Sequence, residues 1–220
     1  MDTLIIGCKT LENELTRAVA ECSCSYDIKW VESGLHNVPK NLTATLQDAL
    51  DTSPGYSRAL MAFGFCGNAV SGLRTGSKTV IFPRVDDCIT LLLGSYGNRT
   101  AITGSGGTYF MTEGWLLGER NIWREYQYAI EKYGTETGES IIEMMLEHHK
   151  ALALLDTGCF DMDSVGEKVK AIAGVLKLEY MVVPATIGYI KELLTGPWTD
   201  ESFLVVPPGS TIKNSDLTYK

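Results

Sequence analysis

Two cysteines, Cys66 and Cys88, each follow a short apolar run of strand type and each precede a stretch that can start a helix. In open α/β sheets, ligands bind at the carboxyl ends of the parallel strands. Two thiols carried there by neighbouring strands would face one crevice. Deprotonated thiols are nucleophiles and bind metal ions such as zinc. We therefore expect the chemistry of this chain in the segment 64–95, GFCGNAVSGLRTGSKTVIFPRVDDCITLLLGS.

Two more reactive side chains follow predicted strands in the same way, Cys8 after TLIIG and His36 after DIKWVES. His36, Cys66 and Cys88 together offer one nitrogen and two sulfurs. Three such ligands leave a fourth zinc position open for a substrate thiol, which would bind there as a thiolate. We predict a metal at these three residues, zinc or iron. The alternative is that the cysteines are packed thiols and the histidine is a loop residue bonded to backbone.

Charged residues beside Cys88 have predicted roles in this site. Arg84 has a planar guanidinium suited to an anionic group of the substrate. Asp86 or Asp87 would cap the helix that starts at Cys88, or would accept a hydrogen bond from His36 and so orient it. A helix N-terminus lowers the pKa of a thiol, but the adjacent carboxylates oppose that effect.

Glycine-rich turns and aromatic residues supply further candidate contacts with a bound group. The run GSGG at 104–107 would cradle an anion or simply form a loop, and no G-x-G-x-x-G follows a strand, so we predict no dinucleotide site. Tyr109 and Trp115 offer an aromatic face for a quaternary ammonium group, or else pack in the core. The residues predicted to touch a bound cofactor or substrate are Gly64, Gly67, Asn68, Ser95 and Gly107.

The composition limits the partners and the cellular compartment that this chain can have. The net charge is −8 and Lys and Arg form no cluster, which excludes nucleic acid and anionic membranes as main partners. From the first residues we expect neither a signal peptide nor a membrane span, and therefore a reducing cytoplasm and cysteines that are buried, metal-bound or catalytic. Cys22 and Cys24 form a C-x-C pair in a polar turn, which is a weak metal signal.

Apolar runs of strand type alternate with amphipathic helices along the whole chain. The pattern predicts a three-layer, Rossmann-like α/β fold with a mostly parallel sheet, as one large sheet or two similar lobes. We place the N-terminal lobe at 1–97, the C-terminal lobe at 98–212 and a polar tail at 213–220, with the crevice near 95–120. A helix capped by Asn41 follows the His36 loop. His148 and His149 are predicted to end a helix in solvent.

The strings GLHNVP, GFCGN, PRVDDCITLLLGS, GTYFMTEGW and FLVVPPG together resemble an uncharacterised family of bacterial and archaeal proteins, a domain of unknown function. The likeness spans nearly the whole chain. Members of that family are often encoded beside corrinoid-dependent methyltransferases and their corrinoid proteins. The resemblance implies a role in methyl transfer, and it carries over no catalytic residues. The predicted ligand set is also similar to the His, Cys, Cys set of corrinoid-linked thiol methyltransferases, which have a different fold.

Three functions are therefore weighed. The first is a zinc-dependent methyltransferase, or its subunit, that moves a methyl group between a small molecule and a thiol acceptor, with a corrinoid reached only through a partner protein. The second is a metal-free racemase-type enzyme that uses Cys66 and Cys159 as an acid/base pair from opposite lobes. The third is a corrinoid- or metal-handling accessory without catalysis. The substrate, and whether the chain forms a homodimer, stay open.

Overall fold

The computed structural model describes residues 2–103 and 107–218. It confirms the predicted α/β class with mostly parallel sheets. No helix in these ranges is both long enough and apolar enough to span a membrane. The strands are β1 Thr3–Cys8, β2 Asp27–Val31, β3 Arg58–Ala62, β4 Thr79–Pro83, β5 Gly107–Met111, β6 His149–Asp156, β7 Glu179–Pro184 and β8 Phe203–Val206. The α-helices are α1 Glu12–Glu21, α2 Pro39–Asp51, α3 Cys88–Leu93, α4 Tyr96–Thr103, α5 Glu113–Leu117, α6 Ile122–Tyr133, α7 Thr135–Met145, α8 Met162–Val175 and α9 Gly188–Thr195.

A five-stranded sheet with the order β2-β1-β3-β4-β8 forms the core of the first lobe. β1 to β4 are parallel, and β8 is antiparallel to β4. The chain leaves β1 towards β2 on one side and then returns to place β3 on the other side. The loops after β1 and β3 therefore diverge at a topological switch point, where open α/β sheets bind their ligands.

A separate parallel sheet, β5-β6-β7, forms the second lobe. Alternate residues of β6 face opposite sides, as the two-residue repeat of a strand requires. Ala153 and Leu155 belong to the buried cluster of the first sheet, whereas Leu152 and Leu154 pack in a second cluster with residues of α6 to α8. Both faces of β6 are therefore covered, which explains why its sequence is an apolar run rather than an alternation.

The division between the lobes differs from the predicted boundary. β8, which we placed in the C-terminal lobe at 98–212, pairs with β4 of the first sheet, and α9 contacts β3 and β4. The second lobe is thus an insertion between β4 and β8. The predicted tail is also anchored, because the buried Arg84 guanidinium donates to the carbonyl of Asp216 at 3.1 Å and to Oγ1 of Thr218 at 3.1 Å.

The two lobes are joined by polar contacts around α1. Thr157 Oγ1, after β6, donates to Oε1 of Glu14 at 2.8 Å, and Asn13 Nδ2 donates to Oε2 of Glu113 at 2.7 Å. Glu14 is only 1% exposed. Its Oε2 is buried and has no hydrogen-bond partner within the described residues. Burial raises the pKa of this carboxyl group above its ordinary value, because the charged form loses its hydration.

Glu14 is expected to make folding less favourable as pH rises. Because its pKa is raised in the folded state, the stabilisation that it contributes is complete below the ordinary pKa of glutamate and is lost as pH rises through the raised value. Glu14→Gln keeps the acceptor for Thr157 and removes the charge. Thermal unfolding should show a higher midpoint for the variant than for the wild type at about pH 8, with a smaller difference at about pH 4. Glu12→Gln, at an exposed position of the same helix, is the control, and an unchanged pH dependence in Glu14→Gln would contradict the assignment.

The loops after β3 and β4 touch at Gly64. A Cβ at this position would lie 2.6 Å from the Cα and 2.6 Å from the backbone nitrogen of Asp87. We expect Gly64→Ala to force these loops apart and to lower the free energy of unfolding by about 1–3 kcal/mol, as overpacking does. Gly174→Ala is the matched control, because nothing lies within 4 Å of a Cβ at that exposed helix position. Chemical denaturation should show the control to be neutral or stabilised by up to about 1 kcal/mol. Equal stability of Gly64→Ala and the wild type would refute the close approach.

Candidate functional site

A cavity of about 590 Å³ opens at the carboxyl ends of β1 to β4. The four side chains predicted to meet at this edge, Cys8, His36, Cys66 and Cys88, all line it. The second lobe covers the cavity with the start of β6, with β5 and with α5. The site therefore lies between the two lobes, in the region where the sequence places the crevice.

The turn that carries Cys66 has an unusual backbone. Three successive residues, Cys66, Gly67 and Asn68, have φ values of 46°, 65° and 68°. Side chains with a Cβ rarely adopt this left-handed region, and such strain is found mostly at functional positions. The Cys66 N–H donates to the carbonyl of Asp86 at 2.7 Å and fixes the turn against the β4 loop. Within the described residues, the N–H groups of Gly67 and Asn68 have no acceptor; Gly67 lines the cavity, whereas Asn68 lies outside its lining.

Three thiols form a row in the cavity, with Cys88 between Cys66 and Cys8. Hydrogen bonding with the Cys66 thiol, burial and the nearby charge of Asp87 raise the pKa of Cys88 well above its ordinary value, although the Cys8 thiol acts in the opposite direction. The pKa of Cys8 is also raised well above its ordinary value, by the hydrogen bond with Cys88 and by burial. Cys8 Sγ lies 2.9 Å from Oγ1 of Thr10. Cys8 and Cys88 are therefore neutral thiols at neutral pH.

The position of Cys88 at the start of α3 agrees with its predicted place in the first helical turn. Asp87 is the N-cap, and its Oδ1 accepts a hydrogen bond from the backbone N–H of Thr90 at 3.0 Å. α3 has only six residues, and Cys88 is 5% exposed. Burial and the neighbouring groups therefore outweigh the pull of the helix dipole on the thiol.

Two histidines from different lobes face the cavity. His36 lies in a short 3-10 turn after β2, and burial lowers its pKa, a shift that the charge of Asp87 partly opposes. His149 is the residue that the sequence analysis missed, because it begins β6 instead of ending a solvated helix. Its ring centre lies 6.1 Å from that of Tyr109, and its Nδ1 is buried without a hydrogen-bond partner in the described ranges. Burial and the adjacent His148 lower the pKa of His149, so both rings favour the neutral form.

A cluster of two carboxylates and one guanidinium forms the polar wall of the cavity. Arg99 Nη1, on α4, donates to Oδ2 of Asp86 at 2.8 Å and to Oδ2 of Asp87 at 2.7 Å. Oδ1 of Asp86 is buried and, within the described residues, unpaired. No hydrogen bond joins Asp87 to His36 in the described part of the chain, so Asp87 acts as a helix cap and a partner of Arg99.

Arg84, predicted to bind an anionic substrate group, does not line the cavity. Its Nε and Nη2 donate to the carbonyl and to Oδ1 of Asp200, at 2.8 and 2.7 Å. Its side chain is 8% exposed and joins the end of β4 to the C-terminal segment. The arginine that reaches the cavity is Arg99, fifteen positions further along the chain, which the sequence analysis did not select.

Cys159 also lies away from the cavity. Its Sγ donates to the carbonyl of Thr157 at 3.4 Å, and burial raises the pKa of the thiol. The two-thiol acid/base hypothesis requires Cys159 to lie close to Cys66. The structure does not bring these two residues to the same site. The C-x-C pair, Cys22 and Cys24, lies outside the cavity lining too.

Ser95, Gly64 and Gly107, which were also predicted to touch a bound cofactor or substrate, have structural roles. Ser95 Oγ accepts from the N–H of Asn98 at 3.1 Å and lies outside the cavity lining. Gly64 and Gly107 allow close backbone approaches, since a Cβ at Gly107 would lie 2.4 Å from the carbonyl oxygen of His148. The other three residues of the GSGG run, 104–106, lie outside the described residues. Tyr109 and Trp115 do line the cavity.

The donor atoms of the cavity do not form a ready metal centre. Within the described residues, no group of three or more His, Cys, Asp and Glu side chains is arranged to hold a metal ion. Cys66 and Cys88 interact directly. His36 lines the same cavity, but no hydrogen bond of the described residues joins it to either thiol. Any metal bound here would have to draw the ligands together.

Comparison with known proteins identifies the family of the chain. A family model described as "Protein of unknown function (DUF1638)" matches residues 30–194. The matched segment includes His36, Cys66, Cys88, Arg99 and His149, and Cys8 precedes it. No curated protein and no solved structure matches the chain significantly. The matched segment covers most of the chain, and the protein therefore belongs to the DUF1638 family of proteins of unknown function.

Proposed function

We propose that this protein is a metal-thiolate methyltransferase, or a subunit of one, that moves a methyl group to a thiol acceptor in corrinoid-linked one-carbon metabolism. Zinc, or iron in its place, would be held by His36, Cys66 and Cys88. The observation that supports the proposal is that these three side chains, which follow three different strands, line one cavity. Two sulfurs and one imidazole nitrogen are a competent zinc ligand set that leaves a coordination position open.

The protonation states of the cavity are compatible with metal binding. A neutral imidazole is the form that coordinates a metal, and burial favours that form of His36 by lowering its pKa. The Cys88 thiol must lose its proton, and the raised pKa of this group opposes that loss in the free protein. Zinc binding would therefore release protons and become weaker as pH falls. The ligands come together only with the ion, which accounts for the lack of a ready three-ligand group.

The reaction needs an acceptor thiolate and a methyl donor. A zinc ion held by His36, Cys66 and Cys88 would supply the positive charge that favours the thiolate form of an acceptor thiol at neutral pH. The acceptor sulfur attacks the methyl carbon, a carbon–sulfur bond forms, and the bond from carbon to the donor breaks with its electron pair left on the donor. Proximity in a closed cavity favours this bimolecular step. The donor would be a methylated small molecule, or a methyl corrinoid that a partner protein presents.

The native protein should bind about one equivalent of zinc, as a site with one ion and three protein ligands requires. Elemental analysis of anaerobically purified protein, and of protein refilled with zinc and then desalted, measures the content. Cys66→Ser and Cys88→Ser should each abolish stoichiometric binding. Cys22→Ser and Cys24→Ser are matched controls, because these half-buried thiols lie outside the cavity lining, and they should retain the ion.

Absence of bound zinc and iron in the native protein under both conditions would reject the proposed centre. Retention of the metal in Cys66→Ser and Cys88→Ser would reject these residues as ligands. Stoichiometric metal without methyl transfer, together with co-purification of a corrinoid protein, would favour the accessory role over catalysis.

The third ligand can be tested separately, because Cys8 forms a hydrogen bond with Cys88, whereas no hydrogen bond of the described residues joins His36 to Cys88. If His36 completes the site, His36→Gln should weaken zinc affinity by more than about 100-fold, beyond the 10–100-fold that loss of an outer partner costs. Cys8→Ser should then stay within about tenfold of the wild type. Competition with a chelating dye gives both affinities, and the reverse order would assign the third position to Cys8.

A further inference from the structure

We propose that the small molecule taken into this cavity is an organic cation, an alkylated ammonium ion whose nitrogen faces Asp86 and whose alkyl groups face the aromatic wall. The inference concerns the same cavity as the proposed function and rests on it for the role of the cavity as a reaction site. The charge of the lining, an unpaired carboxylate oxygen and the aromatic residues opposite it each support this class of ligand.

The charged residues that line the cavity are mainly acidic. One guanidinium group, that of Arg99, serves both Asp86 and Asp87 through its Nη1, so this trio is left with net negative charge. Glu32 also lines the cavity, but its side chain is 71% exposed and forms a surface ion pair with Lys9 at 3.3 Å, so the negative charge of the lining rests on Asp86 and Asp87. His149 does not offset this charge, because burial favours its neutral form. The cavity therefore favours a positively charged ligand.

Asp86 offers a specific contact for such a ligand. Its Oδ2 accepts from Arg99 at 2.8 Å, but its Oδ1 is buried and has no hydrogen-bond partner within the described residues. A buried carboxylate oxygen without a donor is unfavourable, and a charged donor restores the bond strongly. The Asp86 side chain lines the cavity and is 26% exposed, so an ammonium N–H can approach its carboxylate from the cavity and share it with Arg99.

Aromatic rings provide the complementary surface for the alkyl groups. Aromatic side chains from both lobes line the cavity. Tyr109, Phe110 and Trp115 come from the second lobe, and Phe63 comes from the first. Ring faces attract cations, and the attraction grows as the site loses water. The volume of about 590 Å³ is within the usual range for ligand pockets and is large for one small ammonium ion, so an acceptor thiol can lie beside it.

An anionic ligand is the competing interpretation, because the N–H groups of Gly67 and Asn68 have no acceptor in the described part of the chain. Gly67 and Asn68 are exposed, however, and water satisfies such groups. The cation is favoured because its partner, the carboxylate of Asp86, lines the cavity and is mostly buried, so that water competes less for it.

Binding of trimethylammonium ion to the purified full chain tests the inference, with tert-butanol as a neutral molecule of similar shape and acetate as an anion. Isothermal titration should show at least about tenfold tighter binding of the ammonium ion than of either control, as a desolvated cation–aromatic contact and one charged hydrogen bond together provide. Asp86→Asn and Trp115→Leu should each weaken ammonium binding by about threefold or more. The controls Asp51→Asn and Trp123→Leu, both outside the cavity lining, should not. Tetramethylammonium, which has no N–H, should bind more weakly than trimethylammonium.

Tighter or equal binding of tert-butanol or acetate, or unchanged ammonium affinity in Asp86→Asn, would overturn the inference. Zinc content measured on the same samples separates the two proposals. Native protein that holds zinc but shows no preference for the ammonium ion overturns this inference alone. Protein that prefers the ammonium ion but never binds zinc overturns the metal centre and supports the cation site.

Discussion

The site depends on the contact between the loops that follow β3 and β4. The lack of a side chain at Gly64 lets its backbone lie against the backbone of Asp87. Beyond the ends of the strands, the Phe65 N–H donates to the carbonyl of Val85 at 2.9 Å, and the Cys66 N–H donates to that of Asp86 at 2.7 Å. The two loops therefore stay side by side after the sheet ends, and the thiols of Cys66 and Cys88 meet. The strained left-handed turn at Cys66 is held by these contacts.

The cavity exists only because the second lobe is inserted between β4 and β8. Its contacts with the first lobe surround α1, where a Cβ at Gly114 would lie 2.1 Å from the carbonyl oxygen of Thr10. The bond from Thr157 to Glu14 and the shared apolar cluster hold the lobes on the other side. The thiol row comes from one lobe, and Tyr109 and His149 come from the other. A bound molecule would therefore lie between a sulfur-rich wall and an aromatic wall.

The local rules of sequence reading succeeded where one strand or one turn decides the outcome. Cys88 begins α3 directly after the loop that follows β4, as predicted, and Asp87 caps this helix as one of the two expected residues. Features that depend on contacts between residues distant in the sequence were harder to predict. Arg84 is four residues from Cys88 in the chain and Arg99 is eleven, yet the path of α4 brings the more distant arginine to the cavity. His149 was assigned to a helix because the apolar run of β6 starts two residues later, and its pairing with β5 extends the strand. The return of β8 to the first sheet depends on partner choice, which a short apolar run does not encode.

The electrostatics of the two walls explain why neutral sulfur and a negatively charged carboxylate pair occur so close together. Cys88 adjoins Asp87 in the chain, and a thiolate beside that carboxylate would face like charge. The hydrogen bond with the Cys66 thiol and burial raise the pKa of Cys88 against the opposing effect of Cys8, and Arg99 partly compensates the carboxylates. A cation entering the cavity changes this balance in one direction, because positive charge stabilises both carboxylates and any thiolate that forms. The excess negative charge would stabilise either a metal ion at the sulfur wall or an ammonium ion at Asp86, and two cations bound together would each weaken the binding of the other.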